Sequence, residues 1–250
     1  MISIIIQARI GATRLPQKMS LSFWNGMSML EILFIRLNEA GFNIPVIVAT
    51  TTNDCDNFIE NLALKHNIQP YRGDEHHVLM RFIDAAKFYQ TEKIIRICAD
   101  NPLLDMDALR FQIQSFSTSD VDYWCYSLKD ATPTIKTHYG FWTEGVTLEA
   151  LEKVAATTNE KIYQEHVTNY IYANPEKFKL HFERISDFVE NNKSIRLTVD
   201  TIQDFELSKI IYAELMQKNI ALNAESIVSY VAANQAWISI MNKEMNKNVK

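Results

Sequence analysis

Ile2-Ser3-Ile4-Ile5-Ile6 runs directly into Gln7-Ala8-Arg9-Ile10-Gly11-Ala12-Thr13-Arg14-Leu15-Pro16-Gln17-Lys18. The first five residues are a short, β-branched apolar run, the pattern of a buried strand. The loop after it carries two arginines, a lysine, a glycine and a threonine. A loop in this position can turn backbone N–H groups and cationic side chains toward one point, as a triphosphate requires. Gly11 permits close backbone approach, and Pro16 stiffens the exit. The spacing is neither that of a Walker A loop (GxxxxGK[ST]) nor that of a dinucleotide fingerprint (GxGxxG). Taken alone, these residues suit a phosphate cradle or an ordinary solvated basic face.

Working outward, apolar runs at 46–49, after Pro45, and at 94–98 repeat the character of the first strand. Between them, 29–40, 58–66 and 78–89 place apolar residues at helical spacing, for example Leu30, Leu33, Phe34 and Leu37. Apolar strands separated by amphipathic helices predict an α/β fold with a mostly parallel sheet flanked by helices. Ligands in such sheets bind at the carboxyl ends of the strands. The chemistry is therefore expected just after Ile6, Ala49 and Cys98. Further along, 123–126 and 137–142 read as aromatic-rich strands, and 148–156 and 164–172 as helices. Strand character returns at 179–184 and 195–199, helices at 204–217 and 226–236 close the chain, and the Lys/Asn-rich end beyond Met241 is expected to fray. Residues 1–250 are read as one domain, with an inserted or appended lobe over about 120–179.

Composition narrows the function. With 250 residues, 47% of them hydrophobic, the chain has enough apolar material for a full core. A net charge of -5 argues against broad phosphate-backbone binding, so no nucleic-acid partner is expected. Cys55, Cys98 and Cys125 are scattered, without a CxxC or zinc spacing, and suit a reducing compartment. The opening apolar run is too short for a signal or membrane helix, so a cytoplasmic location without membrane association is expected.

The loop from Ala8 to Lys18 resembles the ARxGSxRLPxK signature of the cytidylyltransferases that activate Kdo and sialic-type acids, with greatest similarity to the spore-coat polysaccharide branch. The resemblance implies a Rossmann-like nucleotidyltransferase (GT-A-like) fold. It also implies that Arg9 and Lys18 contact nucleotide phosphates, with Arg14 nearby and Ala8 and the Gly11–Thr13 backbone wrapping them. Ala12 stands where the family usually has serine, and Thr13 is the nearest substitute hydroxyl. Val48-Ala49-Thr50-Thr51-Thr52-Asn53-Asp54 resembles the family's VATTTNxxD segment, which assigns Ala49 and Thr50 to the nucleotide; the same residues suit turns and helix caps. Tyr71-Arg72-Gly73-Asp74 and Val78–Phe82 resemble RGxxxDVLxRF, assigning Arg72 and Arg81 to base or phosphate, with His77 and Met80 replacing usual acids.

Ala99-Asp100-Asn101-Pro102-Leu103-Leu104-Asp105 resembles ADxPLxD, and Leu197–Glu206 resembles LTVDTxxDFE. By resemblance, Asp100 and Asp200 hold Mg2+, and two carboxylates from two strand ends suit that ion. Either can also cap a helix. Glu144 and His166, in stretches resembling GLDVEVFS and EHVT, are expected to meet the acceptor; Trp142 takes the usual Asp position, and His166 can equally be a structural histidine. Related enzymes commonly dimerise through the lobe.

The implied reaction is in-line attack of an acceptor oxygen on the α-phosphorus of CTP, with Arg9, Lys18, Asp100 and Asp200 as the catalytic set. The expected acceptor is an acidic sugar, a ulosonic or nonulosonic acid; a phosphorylated polyol or sugar is the alternative. A GT-A-like glycosyltransferase using Asp105-Met106-Asp107 as its metal motif and a degenerate nucleotide-binding protein are the competing readings.

Overall fold

The computed structural model describes residues 1–11 and 14–247, so the expected roles of Ala12 and Thr13 lie outside the described residues. In chain order the elements are β1 (Ile2–Gln7), β2 (Ser22–Trp24), β3 (Met27–Ser28), α1 (Met29–Ala40), β4 (Val46–Thr51), α2 (Asn57–Lys65), β5 (Gln69–Gly73), α3 (Val78–Phe88) and β6 (Lys93–Cys98). There follow α4 (Met106–Thr118), β7 (Tyr123–Ser127), β8 (Glu144–Thr147), α5 (Leu148–Thr157), α6 (Lys161–Glu165), α7 (Asn169–Ala173), β9 (Leu180–Arg184), α8 (Asp187–Asn191), α9 (Ile202–Gln217), α10 (Ala224–Ala232) and α11 (Gln235–Lys247).

Among the described residues the main sheet has seven strands in the order β5-β4-β1-β6-β8-β7-β9. All pairings are parallel except those of β8, which runs antiparallel to both β6 and β7. This is the mostly parallel, helix-flanked α/β sheet that the sequence predicts. Alternation within β1 shows why its run carries so few polar residues. Ile4 and Ile6 enter the core beneath α1, α9 and α10, while Ile5 enters the opposite core beneath α3 and α5. β6 divides in the same way, with Ile95 and Ile97 on one face and Ile94 on the other.

Residues 120–179, expected as a lobe, contribute β7 and β8 to this same sheet, and α5 and α7 share a core with α3. Several expected boundaries change for identifiable reasons. Residues 137–142 form an irregular segment, and the strand lies at β8 instead. Residues 195–199 form no strand of the sheet and bend at Thr198: Leu197 and Thr198 donate backbone N–H groups to the His138 carbonyl at 2.8 and 3.2 Å. Gly140 allows that approach, having a φ of 75° and a position where a Cβ would lie 3.2 Å from the Leu197 backbone. The helix expected at 164–172 breaks at 166–168, where Val167 and Thr168 turn into the core. The expected fraying beyond Met241 is corrected for 242–247: α11 continues to Lys247, with Met241 and Glu244 buried; the remainder of that expectation, 248–250, lies outside the described residues.

Candidate active site

The carboxyl ends of β1 and β6 lie side by side, with Gln7 opposite Cys98. The basic loop leaves β1 at this point and is tied back to its neighbour by Asp56. That buried carboxylate accepts the Ile10 N–H at 2.7 Å, the Thr51 N–H at 3.2 Å and the Thr51 hydroxyl. The Gln17 N–H then donates to the Ile10 carbonyl at 3.2 Å, closing the loop on itself. These contacts satisfy backbone N–H groups of the described loop residues without a helix or strand.

Below the loop is a cavity of 250 Å³ lined in part by Ala8, Arg9, Arg14, Lys18, Asp100 and Asp200. Lys18 Nζ donates to Asp100 Oδ2 at 2.9 Å and to the Val199 carbonyl at 3.1 Å. Arg14 donates to Asp200 Oδ1 at 2.7 Å. The Val199 N–H bonds to the Asp100 carbonyl at 3.2 Å, so the segment 195–199 delivers Asp200 beside Asp100. Behind it, the buried Arg196 grips Asp204 through two bonds of 2.7 Å and reaches Asp200 Oδ2 at 3.2 Å. Arg9 lies at the outer edge, 3.6 Å from Glu75.

A second cavity of 480 Å³ adjoins the first and shares Gln7, Arg14, Cys98, Asp100 and Asp200 with it. Its remaining walls include Lys136, Trp142, Ile162, His166, Thr168 and Tyr172. Asn101 Oδ1 and Thr198 Oγ1, on residues that also line it, are buried oxygens without a partner among the described residues. Burial pushes the Cys98 thiol up to about 11, which keeps it protonated and unsuited to act as a nucleophile or thiolate ligand.

Asp100 and Asp200 offer hard oxygen donors to one space. Among the described residues there is no group of three or more His, Cys, Asp or Glu side chains able to hold a metal. Two carboxylates with room for water and phosphate fit a hard divalent cation of the magnesium type, and do not fit zinc.

Other expected site residues are placed differently. Arg72 lines neither cavity. Its guanidinium is occupied by the Thr51 and Asn53 carbonyls at 2.9 and 2.8 Å, Asn57 Oδ1 at 2.5 Å and Glu60 Oε2 at 2.8 Å, so it braces the turn after β4. Ala49 and Thr50 are fully buried within the sheet, and Gly11 is exposed in the loop. Arg81 is buried below the turn after β5, donating to the Asp74 carbonyl at 2.7 Å; its Nε and other terminal nitrogen have no partner among the described residues. Burial, followed by the charge of Arg9, lowers its pKa to about 10. Glu144, expected to meet the acceptor, lines neither cavity: it is buried in β8 and accepts from Arg96 at 2.5 Å, Thr168 Oγ1 at 2.8 Å and the Tyr123 hydroxyl. Asp105 caps α4, accepting from Asp107 and Ala108 N–H groups at 3.0 Å, and also takes the Ala224 N–H at 2.8 Å. A carboxylate committed in this way does not present a DxD metal motif.

The family sequence model described as Cytidylyltransferase matches residues 3–227, a span that takes in both cavities. The chain belongs to the cytidylyltransferase family. It is therefore a nucleotidyltransferase that uses CTP. An uncharacterized protein from Methanocaldococcus jannaschii is 35% identical over 248 residues, covering 98% of this chain and 94% of that protein. The spore coat polysaccharide biosynthesis protein SpsF from Bacillus subtilis is 31% identical over 216 residues, covering 84% and 86%. Among solved structures, a cytidylyltransferase from Leptospira borgpetersenii superposes with a TM-score of 0.81 at 27% identity, covering 95% of this chain and 96% of that one.

Two residues that shape the site carry no mark in the sequence that would find them: Asp56, in a short turn after β4, holds the loop, and Gln7 reads as the last residue of a strand. Pairing of β1 with β4 and β6 brings the ends of these strands together.

Proposed function

We propose that this cytidylyltransferase transfers CMP from CTP to a hydroxyl of an acidic sugar, a ulosonic or nonulosonic acid, for surface polysaccharide or glycan biosynthesis. The observation that carries this reading is the meeting of the two cavities at Arg14, Asp100 and Asp200. The smaller cavity, with Arg9, Arg14 and Lys18 on its walls, takes the triphosphate. The larger one takes the acceptor, so that attacking oxygen and α-phosphorus face each other across the shared residues. The acceptor oxygen bonds to the α-phosphorus as the bond to the β-phosphate oxygen breaks; pyrophosphate departs and the hydroxyl proton passes to water.

Before substrate arrives, Lys18 and Arg14 are paired with Asp100 and Asp200. In the complex the two cations turn to the phosphates, and the two carboxylates hold Mg2+. A divalent cation in that position supplies neutralisation of the triphosphate charge. Arg9 and Lys18 then stabilise charge on the transferring and departing groups.

The larger cavity supports a carboxylate acceptor over a phosphorylated one. Arg96 is already matched by Glu144, and Arg14 is given to the nucleotide phosphates in the complex. Lys136 is the lining cation with no ion pair among the described residues, which suits one negative charge better than two. The unpartnered Asn101 and Thr198 oxygens favour a hydroxyl-rich molecule. The name of the SpsF relative supports the polysaccharide setting. Among the described residues no helix is long and apolar enough to cross a membrane. We further propose a cytoplasmic site of action and a homodimer, both on the family resemblance.

Equilibrium binding of CTP, UTP, ATP and GTP with Mg2+, followed by mass spectrometry of products from an acidic-sugar panel, tests this reading. CTP-selective binding and a CMP-linked acid are expected. A phosphorylated polyol accepted in place of every acid would overturn the acceptor class, and absence of CTP binding would overturn the nucleotide site.

A further inference from the structure

A row of polar side chains crosses the main sheet on the face turned toward α3 and α5. It runs from Gln7 in β1 through Arg96 in β6 and Glu144 in β8 to Tyr123 in β7. Residues two apart along a strand share a face, and Ile5, Ile94 and Val146 all enter the core on this side. In the middle, Arg96 is buried and donates to Glu144 at 2.5 Å and to Gln7 Oε1 at 3.0 Å. Glu144 is held in turn by the Tyr123 and Thr168 hydroxyls.

This arrangement fixes which end of the Gln7 amide points where. A guanidinium has donors only, so Gln7 must give Arg96 its oxygen and direct its NH2 group elsewhere. That NH2 group has no partner among the described residues, although Gln7 lines both cavities at their meeting point. The other polar groups shared by the two cavities are a thiol, a guanidinium and two carboxylates. Gln7 therefore supplies the neutral N–H donor at the junction. Burying an ion pair beneath one amide is costly, because desolvation opposes it; a positioning role accounts for its presence.

We propose that Gln7 is a further catalytic residue, donating from Nε2 to a non-bridging oxygen of the α-phosphoryl group, with Arg96 and Glu144 as its positioning residues. This rests on the reading that the nucleotide occupies the smaller cavity. A donor fixed in advance at the transferring group needs no reorganisation as the reaction proceeds.

The test uses CTP and the two diastereomers of its α-thio analogue, with Mg2+ and no acceptor, so that affinity is read without turnover. Gln7→Glu keeps an oxygen for Arg96 and removes the donor; Gln7→Met removes both. CTP binding is expected to weaken about tenfold or more in Gln7→Glu, with the melting temperature retained. Preference for CTP over one thio diastereomer is expected to shrink in Gln7→Met. Folded variants that bind CTP and both diastereomers like the unaltered protein would overturn the role of Gln7. An unaltered protein that fails to bind CTP would overturn the assignment of the cavity itself.

Discussion

Arg196 and Asp204 are joined by two hydrogen bonds of 2.7 Å, and the arginine side chain has 0% exposure. The same guanidinium reaches Asp200 at 3.2 Å, while Asp204 accepts the Asp200 and Thr201 N–H groups at 3.0 and 2.9 Å. Asp204 thus fixes both the backbone that carries Asp200 and the cation that aims its carboxylate. By its position in the LTVDTxxDFE-like stretch it reads as an acid on the face of a helix, but it is the buried keystone of that turn.

Replacing Asp204 by Asn should lower stability by roughly 1–3 kcal/mol, because it leaves the buried Arg196 with only its 3.2 Å contact to Asp200 as a charge partner. Urea unfolding at neutral pH measures this. Burial works against the Asp204 carboxylate, but the bond and charge of Arg196 with the two backbone N–H groups outweigh it, placing its pKa below the usual 3.8. Because the folded-state value is depressed, the stabilisation is fully present above the unfolded value of about 3.9 and is lost as pH falls through the folded value. The gap between wild type and Asp204→Asn should therefore stay constant from neutral pH down to about pH 5 and narrow below that. A gap that widens in acid would contradict the assignment.

Lys18 connects the basic loop to Asp100 at 2.9 Å and to the backbone just before Asp200, through the Val199 carbonyl at 3.1 Å. Lys18→Met should reduce kcat/KM for CTP by roughly 10²–10³-fold, the scale for removing a charge-stabilising donor. Steady-state pyrophosphate release gives the number. A loss smaller than about threefold would place Lys18 outside the transfer step.

Asp56 is 1% exposed and ties Ile10 to Thr51. Asp56→Ala leaves buried donors unpaired, each costing about 1–3 kcal/mol, and frees the loop. A lower melting temperature together with weaker CTP binding is expected. A fall in melting temperature with unchanged CTP affinity would show that the loop keeps its shape without this tether.

Much of this was legible in the chain, because burial and chemistry coincide there. β1, β4 and β6 are buried on both faces and mostly apolar, so their sequences are short β-branched runs, and Arg9, Arg14, Lys18, Asp100 and Asp200 follow strand ends or lie beside them. β5 was hidden because it is a polar edge strand containing Pro70, and β8 because its Glu144 and Gly145 lack strand character. Arg72 and Glu144 show the limit of motif reading. Each carries a charge suited to a ligand, yet the partners that occupy it, Glu60 for Arg72 and Arg96 for Glu144, are distant in sequence and adjacent only through the folded sheet and its flanking helix. Gln7 is the converse case, a strand-end residue whose importance depends on how Arg96 orients it.

The most direct test of the central claim is Mg2+-dependent pyrophosphate release from CTP, measured with each member of a panel of acidic sugars, in the unaltered protein and in Asp100→Asn. Release that requires CTP and one particular acid, and falls to background in Asp100→Asn although the variant is folded, is the predicted result. Equal release by Asp100→Asn, or consumption of a sugar nucleotide without pyrophosphate release, would contradict it.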